Sequence, residues 1–263
     1  MSLIQTLLFV FPTWLLGSLM VLAAVLFSIL GLMIIRFYIP AHKFKVHNDV
    51  AGSIFATLGV IYAVLLAFMV IVTWQNFDQA SRNVAKEANY IADLYRDSTP
   101  LSAGFRQQVK IDLKAYVEAI INDEWPVQPK GERSDKVQAA QEKIWDLYGS
   151  YSPRSETEKI FFEESVRKLN EACEMRRQRL LDATSGIHSA LYFVLIAGGF
   201  ITILFTLFFG SENFIPQIWM TSMLAALIAL TLFTIMSMDY PFTGSVSISP
   251  AVFKTVLKTL LGV

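Results

Sequence analysis

One stretch, residues 50–96, constrains the fold of this chain more than any other. Residues 50–74 contain no charged side chain and are long enough to cross the hydrocarbon core of a bilayer, which takes about twenty residues of helix. Residues 76–96 are polar, yet an apolar stripe continues through them at alternating three- and four-residue steps: Phe77, Ala80, Val84, Ala88, Ile91 and Leu94. The pattern predicts one helix that crosses the membrane and continues into water.

The membrane half of this helix has distinct faces when it is wound at about 100° per residue. Small residues share one face, which we expect to pack against protein: Gly52, Ala56, Gly59, Ala63 and Ala67. The adjoining face changes from hydroxyls to apolar groups and is suited to a narrow pore: Ser53, Thr57, Val60, Val64, Phe68 and Ile71. On that face Val60, Val64 and Phe68 would form the constriction. The alternative is ordinary burial, because Ser and Thr in membrane helices commonly bond to their own backbone. Bulky residues on the remaining side, such as Phe55 and Tyr62, are suited to lipid or another helix.

Three further apolar runs predict membrane helices at residues 14–35, 187–209 and 214–238, so that the chain is an all-α integral membrane protein with four transmembrane helices. Residues 210–213 form a turn too short for anything but a hairpin. Between the second and third spans, polar helical patterns interrupted by Pro and Gly predict an inserted helical bundle. The predicted units are residues 1–75, 76–186, 187–238 and 239–263.

Two terminal segments are expected at the membrane surface. Residues 1–11 are apolar but lack the cationic start and the cleavage site of a signal peptide. The last segment alternates apolar Phe253, Val256 and Leu257 with Lys254 and Lys258, a pattern typical of a helix lying in the interface.

Basic residues near the membrane ends predict the orientation. More of them lie on the side of the helical bundle, which places the bundle and both termini in the cytoplasm and the chain in an inner (plasma) membrane. Five cations near the two ends of the spans are candidates for vestibule charges that attract anions: Lys43, Lys45, Arg176, Arg177 and Arg179. The alternative for the arginines is a simple orientation signal.

No catalytic or cofactor motif is found, and we expect no enzyme activity and no cofactor. The three histidines are scattered, which argues against a metal cluster, and the sequence has no phosphate-binding loop or nucleophile elbow. Cys173 is the single cysteine and lies on the apolar stripe of a predicted helix, so packing is its expected role. A lipid bilayer is the expected environment, and no nucleic-acid partner is expected.

Several motifs resemble the bestrophin-like family, a group of membrane proteins named after the bestrophin anion channels. They are His47-Asn48-Asp49-Val50-Ala51-Gly52, residues 59–68, Glu124-Trp125-Pro126, Arg176-Arg177-Gln178-Arg179-Leu180, Asp239-Tyr240-Pro241-Phe242-Thr243-Gly244 and Ser249-Pro250. The resemblance implies a homo-oligomer, a pentamer in bestrophins, with a hydrophobic neck at the positions of Val60, Val64 and Phe68. It also implies small inorganic anions as the permeant species.

The chain departs from bestrophins at two places. After Pro241-Phe242 it has Thr-Gly-Ser-Val-Ser instead of a run of acidic residues, so the calcium site of animal bestrophins is not supported. The segment after the neck, Thr73-Trp74-Gln75-Asn76-Phe77, only partly matches the Arg- and Trp-rich bestrophin segment.

Three functions were weighed. The first is an oligomeric anion channel. The second is a membrane-anchored scaffold or regulator, which the stripe of residues 76–96 favours equally because such a stripe also serves assembly. A proton-driven stator ranks last, since no ionisable residue lies at mid-membrane depth.

Overall fold

The computed structural model describes residues 3–45, 47–211 and 213–260 and is built from helices. The predicted turn residue Glu212 and the last three residues of the predicted tail lie outside this description. The α-helices are α1 Leu3–Val10, α2 Thr13–Tyr38, α3 Ala41–Lys45, α4 Asn48–Asp97, α5 Ala103–Ala119, α6 Asp135–Ser150, α7 Glu156–Asp182, α8 Ser189–Leu207, α9 Phe214–Met238 and α10 Ala251–Leu260. A π-helical turn, Ile120–Glu124, and a short 3-10 turn, Gln128–Lys130, follow α5.

Four helices are long and apolar enough to cross a membrane: α2, α4, α8 and α9. They coincide with the four predicted spans. Helix α2 packs along α9, whereas α4 contacts α8 and α9 and leaves much of its apolar surface outside the chain. In lipid such a surface needs no cover by the same chain, so α4 has a face available for other contacts.

Helix α4 continues without interruption into the extramembrane helical bundle, as the sequence predicted. Its apolar stripe packs there against α7, and five of its residues are buried: Ala80, Val84, Ala88, Ile91 and Leu94. The stripe is therefore used inside the chain to build the core of the bundle.

The rest of the bundle is formed by α5, α6 and α7. Phe105 of α5 contacts Tyr148 of α6 and Tyr151 with ring centroids 5.0 and 4.1 Å apart. The N-terminus of α7 is capped, because the Ser155 hydroxyl accepts a hydrogen bond from the backbone N–H of Glu158 at 3.1 Å.

Helix α10 corrects the expectation of a terminal helix on the membrane surface. Its apolar residues Phe253, Val256 and Leu257 are buried in the core of the bundle, and α10 packs on α4 and α5. An amphipathic pattern specifies that one face is removed from water, and a protein core satisfies it as well as lipid does.

A short break separates α7 from α8. Here the Asp239 carboxylate, at the end of α9, accepts hydrogen bonds from the backbone N–H of Ile187 and from the Tyr192 hydroxyl, both within 3.1 Å. A Cβ at Gly186 would lie 2.9 Å from this carboxylate, so the close approach requires glycine. The contact fixes where the chain re-enters the membrane.

At the other membrane end, the start of α4 is attached to the connection between α8 and α9. The Asn48 side-chain amide donates to the carbonyl of Gly210 at 2.8 Å and accepts from its N–H at 2.9 Å. Arg36, at the end of α2, donates to the Ser211 carbonyl at 2.6 Å. These bonds hold the ends of α2, α4 and the hairpin together.

Candidate pore-lining face of α4

The predicted neck and lining residues form one exposed stripe along the membrane half of α4. Val60, Val64 and Phe68 expose 64%, 50% and 64% of their surface. Ser53, Thr57 and Ile71 are also exposed. At 100° per residue these six positions fall within about 80° of arc, so they form a line parallel to the helix axis.

The opposite face of α4 holds the helix against the rest of the chain. Tyr62, Met69 and Thr73 are buried there, about 180° from the exposed stripe. The Tyr62 ring lies against Gly198 and Gly199 of α8, and its hydroxyl donates to the Leu195 carbonyl at 2.9 Å. Val60, Val64 and Phe68 therefore point away from the chain's other spans, whereas Ser53, Thr57 and Ile71 border open grooves beside α8 and α9.

The hydroxyls of the stripe bond to the backbone of their own helix, as the alternative to a pore face assumed. Ser53 donates to the Asp49 carbonyl at 3.1 Å, and Thr57 donates to the Ser53 carbonyl at 3.2 Å. Each oxygen keeps acceptor capacity, and both side chains remain exposed. Backbone bonding and a role in lining a pore are therefore compatible at these positions, and the pore role stays a prediction.

The small-residue face, which we expected to pack against protein, borders open space within the chain. A Cβ added at Gly52 or Gly59 would have no atom within 4 Å. Instead, Gly59, Ala63 and Ala67 line an open groove of about 600 Å³ between α4, α8 and α9. The contacts inside the chain come from the larger side chains, such as Phe55 with Phe205 and Phe209 of α8 and the segment after it.

Three of the five predicted vestibule cations lie on the surface. Lys43 and Lys45 belong to α3 at the start of α4 and are exposed. Arg177 is exposed on α7 and forms an ion pair with Glu174. Whether these three side chains face a permeation path stays a prediction.

Arg176 and Arg179 require a correction, because they are buried inside the extramembrane bundle. Their exposed fractions are 4% and 0%. Arg179 donates to Glu87 at 2.7 Å and to Glu124 at 2.8 Å, and Arg176 donates to Glu124 at 2.5 and 3.1 Å. Two carboxylates thus neutralise two guanidinium groups in the interior, where neither cation can line an aqueous vestibule.

The environment of Glu124 shows how strongly this cluster is paired. Burial by itself would raise the pKa of its carboxyl, but hydrogen bonds and positive charge from Arg176 and Arg179 outweigh burial and hold that pKa below its usual value. Glu124 ends the π-helical turn, and π turns are frequent at functional sites. Here the turn directs the carboxylate into the bundle.

A signal for this cluster was present in the sequence. The predicted stripe of α7 includes Cys173 and Leu180, and Arg176 occupies the position between them at helical spacing. Cys173 is buried as predicted, and burial raises the pKa of its thiol. A charged residue within an apolar stripe indicates a buried ion pair, although the partners cannot be identified from spacing alone.

Comparison with known proteins agrees with this architecture. A family model described as the Bestrophin-like domain matches residues 22–253. A bacterial bestrophin homologue from Klebsiella pneumoniae with a single substitution has 15% identity and a TM-score of 0.71, covering 93% of this chain and 97% of that chain. Another structure of a bacterial bestrophin homologue from Klebsiella pneumoniae has 17% identity and a TM-score of 0.67, with the same coverage. Comparison with curated proteins gives no match. The structural similarities show a shared fold and, since the family model spans most of the sequence, the chain belongs to the Bestrophin-like family.

Proposed function

We propose that this protein is the subunit of an oligomeric ion channel that conducts small anions, with α4 of each copy lining the pore. One observation carries the proposal: the exposed stripe of α4 lies opposite the buried face that attaches α4 to the chain's other spans. Copies arranged around an axis can therefore each turn this stripe inward without giving up a contact within the chain. Membership of the Bestrophin-like family and the fold shared with bestrophin homologues support a channel.

The small-residue face gives neighbouring copies a place to meet. Gly59, Ala63 and Ala67 lie on one flank of the stripe and border an open groove, where an adjacent helix can approach closely because the side chains are small. Five copies is the number that the relation to bestrophins suggests. The assembly is a homo-oligomer whose lipid-facing surface is formed mainly by α2, α8 and α9.

Val60, Val64 and Phe68 form the neck in this proposal. They are about one helical turn apart, so copies around the axis would give stacked apolar rings. Such a constriction binds ions weakly, can close by dewetting, and favours anions that lose their water easily. Ser53 and Thr57 would line the wider part toward α3, and Ile71 the part toward the bundle.

The orientation follows the distribution of basic residues. The protein lies in an inner membrane, with the bundle and both termini in the cytoplasm. Lys43 and Lys45 are then outer vestibule charges. Because Arg176 and Arg179 are neutralised in the interior, only Arg177 of the arginine cluster remains as a surface charge on the inner side.

A direct test is reconstitution of the purified oligomer in planar bilayers. We expect currents in symmetric chloride and nitrate solutions, and a reversal potential in a salt gradient that indicates anion selectivity. Phe68→Ala should alter gating or the nitrate-to-chloride permeability ratio, because it removes one apolar ring. Phe193→Ala is the matched control, since Phe193 is equally exposed but lies on α8. A correctly assembled oligomer without current would refute the proposal.

The observation that favoured a scaffold or regulator no longer supports that function. The stripe of α4 between Ala80 and Leu94, which could have bound a partner, is buried against α7 of the same chain. A scaffold would need another surface.

A further inference from the structure

The exposed line of α4 continues beyond the membrane. In the membrane half the buried face is centred on Tyr62 and Met69, and in the bundle it is centred on Ala80, Glu87 and Ile91. At 100° per residue all five positions fall within about 40° of arc, so the buried face keeps one direction along the helix. The opposite, exposed face therefore also keeps one direction from the neck to the far end of α4.

Five charged residues of the bundle lie on this line. They are Asp78, Arg82, Lys86, Asp93 and Arg96. When angles around the helix axis are counted from Ser53 at 100° per residue, these five positions fall within the same arc of about 80° as the neck residues. A pore that has the neck on its axis would therefore have these side chains along its extramembrane part.

Four of these charges cancel in pairs. Asp78 forms an ion pair with Arg82 one turn away, and Asp93 forms one with Arg96 at 3.0 Å. Arg96 also lies 3.5 Å from the carboxylate of Asp97, which is buried beside the line. Lys86 is exposed, and no carboxylate in the described part of the chain lies within ion-pairing distance of it. Since a close pair has little net field at a distance, the net charge of this line is the single positive charge of Lys86.

We propose that Lys86 is an ion-selectivity residue: its copies form a ring of ammonium groups in the extramembrane conduit and concentrate small anions before the neck. The inference rests on the proposed function. Lys86 lies eighteen residues after Phe68, which corresponds to about 27 Å along the helix. Like charges collected around a conduit raise the local concentration of the opposite ion, and this sign preference is absent from the apolar neck itself.

Lys86→Gln tests the proposal, and Lys254→Gln is a matched control. Lys254 is exposed on α10. Its neighbour Phe253 lies 5.9 Å from the guanidinium of Arg179, and Arg179 bonds to Glu87, the residue after Lys86. The control charge is therefore at nearly the same level along α4 as Lys86, but it lies off the exposed line of α4. In 0.1 M salt we expect Lys86→Gln to lower the single-channel anion conductance about twofold or more and to reduce the anion-to-cation permeability ratio. Lys86→Arg should retain both.

The salt dependence separates this role from a structural one. The conductance deficit of Lys86→Gln should largely disappear in 1 M salt, where the screening length falls to about 3 Å. If native protein conducts and Lys86→Gln behaves like Lys254→Gln at both salt concentrations, the role of Lys86 is refuted and the channel proposal stands. If native protein carries no current, both fall together. If Lys86→Gln fails to assemble, the same measurements are made on Lys86→Arg and Lys86→Ser. Equal ion selectivity in these two variants would also refute the role of Lys86.

Discussion

Arg179 shows how a side chain from a basic cluster becomes part of a protein core. Its guanidinium donates to Glu87, Glu124 and Gln128 and lies 5.3 Å from the centre of the Trp125 ring. A planar fork of donors suits several acceptors at once, which a lysine could not match. The residue thereby connects α4, the π-helical turn and α7 at one buried point.

Replacing Arg179 with Met should destabilise the bundle strongly. The substitution retains an apolar side chain of similar length but leaves Glu87 without a cation and Glu124 with Arg176 alone. Removing one partner of a buried ion pair typically costs about 3–5 kcal/mol. The midpoint of thermal unfolding, measured on the purified protein in detergent, should fall clearly below that of the native protein.

Arg177→Met is the matched control for this prediction. Arg177 is two residues away on the same helix, but its ion pair with Glu174 is on the surface, where such pairs contribute at most about 1 kcal/mol. If Arg179→Met lowered the midpoint of thermal unfolding as little as Arg177→Met, the buried cluster would not have the stabilising role assigned to it.

The fate of the arginine cluster also shows what a sequence can reveal at single positions. Basic residues near a membrane end do indicate an orientation, yet their neighbours in sequence do not show which of them face inward. Glu87 and Glu124 are separated from Arg179 by 92 and 55 residues. Only the fold brings them together, so the vestibule role predicted for Arg176 and Arg179 could not be tested on the sequence.

At the scale of helices, Tyr62 of α4 makes a tight contact with α8. Tyr62 fills the space above Gly198 and Gly199, where an added Cβ would lie 2.6 Å and 2.8 Å from its ring and hydroxyl. Open grooves lie on both sides of this contact, one lined by Thr57 and Ile61 and the other by Ala63 and Ala67. The contact therefore sets the direction in which α4 presents its exposed stripe.

Gly198→Ala should force α4 away from α8. The new methyl group would overlap the Tyr62 ring, and overpacking of this kind costs about 1–3 kcal/mol. We expect a lower midpoint of thermal unfolding and, in the reconstituted channel, an altered open probability. Gly104→Ala in α5 is the control, because a Cβ there would meet no atom within 4 Å. An unfolding midpoint equal to that of native protein in Gly198→Ala would show that this contact is not tight.

At the scale of helices, hydrophobic periodicity predicts some features of the fold and leaves others open. The four spans and the continuation of α4 were predicted because hydrophobic length and spacing determine them locally. The location of α10 was predicted wrongly, since its amphipathic face does not state whether lipid or protein covers it. Phe253 lies in the bundle core, where Trp125, distant in sequence, packs against it with ring centroids 5.8 Å apart.

For the whole molecule, α4 is the element that joins the membrane spans to the bundle. Its buried face is fully occupied by the chain itself, in the membrane by α8 and α9 and in the bundle by α7 and α10. Its remaining surface in the membrane comprises the exposed stripe, the small-residue face on one flank and an apolar flank with Ile54, Ile61 and Val72 on the other. An assembly with the stripe at its axis would therefore bring the small-residue face or the flank of Ile54 and Ile61 against neighbouring copies.

Gly59→Leu should separate the oligomer while leaving each chain folded. No atom of the chain lies within 4 Å of a Cβ at this position, and Gly59 borders an open groove, so we expect the subunit to accommodate the larger side chain. A neighbouring helix at the small-residue face would be pushed away, because close approach in lipid requires small residues. We expect a lower molecular mass in detergent by light scattering, with unchanged helical content by circular dichroism. Ser18→Leu, on the exposed side of α2, should leave the mass unchanged. If Gly59→Leu retained the native mass, neighbouring copies would meet through a surface other than the small-residue face.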